Sequence, residues 1–185
     1  SSLGLNILPG LSDSLICFDE AHHLPAVAIS TFADSMDLTS LRWLDRLPRA
    51  IQEAAARVEY IAPHDIAQLS RELKAALGDT GRLILELLGS YLKANSGVCR
   101  FQHGVVPEFL YEPLTLIRDH SKALLEVMQA LAEILREKMR EEPTLAQAYT
   151  LLYSKLGSLA PKLEDVAATS CLLLEESEEV RRLCF

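Results

Sequence analysis

Ser14-Leu15-Ile16-Cys17-Phe18-Asp19-Glu20-Ala21-His22-His23-Leu24-Pro25 is the stretch on which the reading of this chain turns. Leu15 to Phe18 are four apolar residues in a row and read as a short buried strand. The run stops at two acids, Asp19 and Glu20, which stand at the strand's carboxyl end. Ligands of open α/β sheets bind at that end, so the two carboxylates are candidates for chemistry. A plainer reading stands beside this one: acids are favoured at a helix N-terminus, and the pair could merely cap the segment that follows.

After Pro25 the pattern changes to a succession of helices. Pro25 suits a first helical turn, with Val27, Phe32 and Ala33 available to pack as far as Ser35. A first long helix is expected from Asp37 to Ile61, capped by Thr39 or Ser40, with Leu41, Leu44, Leu47, Ile51, Ala55, Val58 and Ile61 on one stripe. Pro48 predicts a kink or break in it. Pro63-His64-Asp65 restarts the helix with Ile66, Leu69, Leu73 and Leu77, and Gly78-Asp79-Thr80-Gly81 predicts a stop and a new N-terminus. Ile84, Leu87, Leu88, Tyr91 and Leu92 carry the next helix to Asn95, and residues 95–107 read as an irregular connection.

Leu114, Ile117, Ser121, Leu124, Met128, Leu131 and Leu135 then alternate spacings of three and four, as a packed seam requires. That helix is expected to end near Glu142-Pro143. Thr144 predicts a cap for another carrying Leu145, Tyr149, Leu152 and Leu156. Gly157 and Pro161 predict punctuation, and Leu163 to Phe185 a last helix with Val166, Ser170, Leu173, Leu174, Val180 and Leu183. The expected class is mainly α: about six helices preceded by one strand-turn fragment. No repeat of fixed period is present.

A chain of 185 residues that is 49% hydrophobic can bury a core and is not disordered. Its net charge of −8 excludes a surface that is basic throughout, which leaves local basic ridges for any nucleic-acid contact. Apolar runs are too short to span a bilayer, and no basic-then-apolar leader opens the sequence. Cys17, Cys99, Cys171 and Cys184 form no C-x-x-C pair, so four free thiols in a reducing cytosol are expected rather than a zinc or iron–sulfur site. A cytoplasmic location is expected with them.

Phe18-Asp19-Glu20-Ala21-His22-His23-Leu24-Pro25 resembles the Walker B segment, the DEAH box, of the DinG-type (XPD-like) bacterial DNA helicases. The resemblance implies an ATP hydrolase in which Asp19 orients the nucleotide's Mg²⁺, Glu20 polarises the attacking water and His22 couples nucleotide state to nucleic acid. His23 is a family feature without a clear chemical task. It also implies ATP-dependent 5′-to-3′ unwinding in repair and replication, with single-stranded DNA as partner. In such enzymes a helical Arch insertion follows the DEAH box. Residues 36–185 suit that in class, with Phe101 to Glu141 resembling the middle of an Arch, and residues 1–35 would be a piece of the motor domain.

Two family parts are missing. None of the glycines opens a G-x-x-x-x-G-K-[ST] phosphate cradle. The four iron–sulfur cysteines of the family lie before the DEAH box and are not supplied by this chain's own. The expectation is a piece of a helicase that is inactive alone, ending on an apolar Leu183-Cys184-Phe185 with no terminator. Its strand would lack sheet neighbours, so residues 1–35 are expected to be disordered, to lie against an Arch helix or to pair with the same segment of a second copy.

Other constellations compete. Arg42, Arg46 and Arg49 recur at helical spacing with Trp43 beside them, a candidate single-strand contact with a stacking ring. The alternative is a solvated face with Trp43 in the core. Arg100, Phe101 and His103 repeat the idea in the irregular loop. His64-Asp65 invites an all-helical metal phosphohydrolase, with His22, His103 and Asp119-His120 as further ligands, but Pro63 favours a helix N-terminus with Asp65 in its first turn. The acidic run from Glu175 to Glu179 reads as a solvated face. A third class is a non-enzymatic helical interaction module in which the DEAH string is accidental.

Overall fold

The computed structural model describes residues 35–101 and 105–175. The strand read at Leu15–Phe18, Asp19, Glu20, His22, His23, the helix expected after Pro25, Cys17, His103, and the segment 176–185 lie outside them. The described residues are mainly α-helical, as the class expected from the sequence requires. Four helices of three turns or more are present among them, two of which run through the glycines and the proline at which separate helices were expected.

Asp37, rather than Thr39 or Ser40, organises the start. Its Oδ1 accepts the Thr39 hydroxyl (2.7 Å), the Thr39 N–H (2.7 Å) and the Ser40 N–H (3.1 Å). The Thr39 hydroxyl does most to hold this carboxyl below its ordinary pKa. A 3-10 turn over Leu41–Asp45 follows, and then α1, Leu47–Arg57. The helix expected from Asp37 to Ile61 is therefore broken before Pro48. The proline sits in the first turn of α1, where its missing N–H leaves no bond unmade. α1 stops at Arg57, Glu59 takes a left-handed φ of 54°, and Ile61 is exposed instead of closing the stripe.

Asp65 caps α2, Ile66–Ala94, by accepting the Gln68 N–H at 2.9 Å. Contrary to the expected stop, α2 runs through Gly78 and Gly81. An interior glycine costs about 1 kcal/mol relative to alanine, and the burial of Leu73, Leu77 and Thr80 before and between the two glycines outweighs it. Leu73 and Leu77 are fully buried, and Thr80, also buried, returns its hydroxyl to the Ala76 carbonyl at 2.7 Å. Asp79 pairs with Arg82 instead of capping. Beyond Thr80 no residue of α2 is buried. Leu87 and Tyr91, expected on a packed stripe, are exposed, while Ile84 packs on a small cluster of Val106, Leu110 and Leu114. The helix ends where the Gly97 N–H reaches back to the Leu92 carbonyl (2.8 Å), with φ 81° at Gly97, a conformation glycine adopts freely.

α3, Tyr111–Glu141, buries every residue of the seam read in the sequence, from Leu114 to Leu135. The chain turns through a 3-10 segment, Pro143–Leu145, into α4, Ala146–Leu174. Thr144 does not cap it. Gly157 and Pro161 do not end it either: Tyr149, Leu156, Leu159, Leu163, Val166 and Ser170 lie buried along one continuous helix. Pro161 cannot donate to the Gly157 carbonyl and its ring crowds that group. The residue crowded is a glycine, the least bulky neighbour available.

α3 lies along α4, α2 packs on α3, and α1 rests against the other three helices. The shared core joins Leu44, Leu47 and Ile51 of the entry segment to Leu73 and Leu77, Ile117 to Leu135, and Tyr149 to Val166. Two ties close the α3–α4 turn. Tyr149 donates its hydroxyl to Glu142 (2.9 Å), and Lys138 bonds Glu142 at 3.2 Å. The Tyr149 bond, aided by Lys138, holds the Glu142 carboxyl below its usual pKa.

Candidate nucleic-acid interface

The 3-10 turn over Leu41–Asp45 and α1 after it together decide where the arginines go. Leu44, Leu47, Ala50, Ile51 and Ala54 fill the core side, so Arg42, Arg46 and Arg49 are left in solvent. Trp43 goes the other way. It is 8% exposed and belongs to the core with Leu44 and Leu47, so it presents no free face to a base. Of the four residues nominated by the sequence, the structure leaves the three arginines on the surface and removes the ring.

Arg46 and Arg49 line a groove of about 420 Å³ between α1 and α4, with Asp45, Ala50, Glu53, Lys155, Ser158 and Leu159 as its other walls. Arg42 does not line it. Arg49 is 86% exposed and donates from Nε to Glu53 at 3.0 Å. Lys155, from α4, donates to the other oxygen of the same carboxylate at 2.7 Å. Lys155 and then Arg49 draw the Glu53 pKa down. Asp45 is occupied by Lys74, at 2.6 and 2.8 Å. Lys155 was not legible as part of this site: it lies 102 residues from Glu53. Its helical spacing to Ser158 and Lys162 is the only trace it leaves in the sequence.

The other candidates separate. Arg100 is exposed, while Phe101 packs against the small apolar cluster. A helix does begin here, with Asp65 as its N-cap rather than in its first turn, beside an exposed His64. Asp119 pairs with Arg118 at 2.8 Å, and His120 lies 3.7 Å from Glu72. Among the described residues no three His, Cys, Asp or Glu side chains gather as a metal would need. Cys99 and Cys171 are free thiols. No helix of the described residues is long and apolar enough to cross a membrane.

The fold and surface thus define an α-helical bundle with a mixed-charge groove edged by arginines. In sequence, 175 residues of the chain are similar to the "ATP-dependent DNA helicase DinG" of Photobacterium profundum, at 24% identity. The match takes in 94% of this chain and 25% of the helicase, so the chain spans about a quarter of that relative's length. No protein-family model matches, and no solved structure matches.

Proposed function

We propose that this chain is a region of an ATP-dependent DNA helicase of the DinG type. Residues 1–35 would be a motor-domain piece carrying the Walker B acids, and residues 36–185 a helical Arch-type insertion. The observation that carries the reading is the chain-long similarity to the DinG helicase, joined to the Phe18–Pro25 string. The helical body agrees with it in class.

In the full-length helicase, Asp19 would hold the Mg²⁺ of bound ATP, an oxygen donor of the kind that ion selects. Bound Mg-ATP would supply the phosphoryl group whose transfer to water drives unwinding. Glu20 would accept a hydrogen bond from the attacking water and aim it, and His22 would relay nucleotide state. The iron–sulfur cluster of the family belongs to cysteines other than this chain's. Arg42, Arg46 and Arg49 would touch the phosphates of a single strand, since base-independent backbone contact needs only exposed cations. Taken alone, these 185 residues carry no phosphate cradle and would not turn over ATP. Residues 1–35 would mediate any self-association, through the apolar run Leu15–Phe18.

The test is strand unwinding by the full-length helicase with ATP and Mg²⁺. Unwinding that disappears with Asp19→Asn and with Glu20→Gln is expected. A protein that unwinds no duplex, or whose Glu20→Gln form unwinds normally, contradicts the proposal.

A further inference from the structure

We infer that Glu53 occupies the position of a DNA phosphate in the groove between α1 and α4, and that Lys155 is the opposite wall of the single-strand path. This rests on the single-stranded DNA partner proposed above and adds to it a second helix and an internal competitor.

Three observations lead there. One carboxylate bridges two cations from different helices, with Arg49 Nε on one oxygen at 3.0 Å and Lys155 Nζ on the other at 2.7 Å. A phosphodiester offers the same chemistry, two anionic oxygens on one centre, and both donor types bind it well. Next, the pair sits in an open groove of about 420 Å³ whose remaining cation, Arg46, has no ion pair among the described residues. Last, one more lysine follows on α4: Lys155, Ser158 and Lys162 fall at i, i+3 and i+7, and Lys162 lines a second hollow with Ser40, Trp43 and the acids Asp37 and Asp165. Arg46 and Arg49 on one side, with Lys155, Ser158 and Lys162 on the other, give a strand two walls.

Arg49 and Lys155 are exposed and Glu53 is half-buried, and ion pairs at a surface contribute little to stability, so a structural clamp explains Glu53 poorly. As a stand-in for phosphate it has a definite consequence. It holds Arg49 and Lys155 to itself and so withholds both cations from the phosphates of an incoming strand. Removing its charge should free both cations for DNA. Each phosphate neutralised on a single strand adds about 0.7 to the steepness of log affinity against log salt. Glu53→Gln should therefore tighten binding and steepen that slope by up to about 1.4. Lys155→Gln in the Glu53→Gln background should take back about 0.7 of it.

The experiment is fluorescence anisotropy of a labelled oligothymidylate with the 185-residue chain across a salt series. Wild type, Glu53→Gln, Glu53→Gln with Lys155→Gln, and Arg42→Gln with Arg46→Gln are compared, each with a thermal melt to show that it folds. Tighter, steeper binding by Glu53→Gln, partly reversed by Lys155→Gln, is the expected result. Weaker or unchanged binding by Glu53→Gln, while the arginine variant loses affinity, overturns the groove and leaves the arginine ridge standing. If neither wild type nor Glu53→Gln binds the strand, the groove and the DNA contact of this region fall together.

Discussion

Pro161→Ala tests the continuity of α4, the feature in which sequence punctuation and structure disagree most. Proline is about 3 kcal/mol less favourable than alanine inside a helix. Here the penalty has two visible parts: the N–H that Gly157's carbonyl lacks, and the crowding of that carbonyl by the ring. A typical net hydrogen bond is worth roughly 1 kcal/mol. Against these gains, losing proline frees the unfolded chain and costs about 0.4–1 kcal/mol. Pro161 is exposed, so no core contact is lost with the ring. The net expectation is a stabilisation of about 2–2.6 kcal/mol, the helix-interior penalty less the unfolded-chain cost. At about 2–4 °C per kcal/mol for a chain of this size, Tm followed by far-ultraviolet circular dichroism should rise by several degrees. Gly157→Ala should add about 0.5–1 kcal/mol, because a Cβ there meets nothing within 4 Å. The two should not be additive, since both act on the same carbonyl. A fall in Tm for Pro161→Ala would refute the reasoning. It would mean that the helix does break there and that proline fixes the break.

Three further outcomes follow from the packing and charge. Leu131→Ala empties a fully buried site at the centre of the core and should cost about 2–5 kcal/mol in urea unfolding; a loss under about 1 kcal/mol, well below that range, would mean that α3 is not the central seam. Glu142, whose pKa is depressed by the Tyr149 hydroxyl and then by Lys138, contributes stability present above the unfolded-state carboxylate pKa and lost as pH falls through the lower folded value. Tm should therefore drop on acidification below about pH 4.3, and Glu142→Gln should make that drop shallower; an unchanged profile would show that the bond to Tyr149 is not formed in solution.

What could be read from the sequence was what is local. The α3 seam from Leu114 to Leu135 shows in the spacing alone, because a helix buried along one stripe repeats at three and four. The start of α2 shows too, because Asp65 caps a residue only three positions away. The expected stops at Gly78–Gly81 and Gly157–Pro161 failed for one physical reason. A breaker costs about one to three kcal/mol, while Leu73, Leu77 and Thr80 are buried before and within the first, and Leu156, Leu159 and Leu163 before, within and after the second. Tertiary packing decides such cases, and spacing does not reveal it. Of the candidate interface, the arginines were legible and the burial of Trp43 was left open between two readings. Lys155 was out of reach, because only the fold carries α4 back to α1.

Asp19 and Glu20, as the acids of an ATP hydrolase, are the centre of the proposed function. The most direct measurement compares ATP turnover and ATP binding in the full-length helicase and its Glu20→Gln form. Glutamine keeps the size and hydrogen bonding of the side chain but cannot act as the water-orienting carboxylate. Turnover is predicted to fall by about 10²-fold or more, the scale of losing one acid–base group, with nucleotide affinity kept within a few-fold. Turnover that persists in Glu20→Gln, with affinity unchanged, would contradict the assignment and return Asp19 and Glu20 to the role of a helix cap.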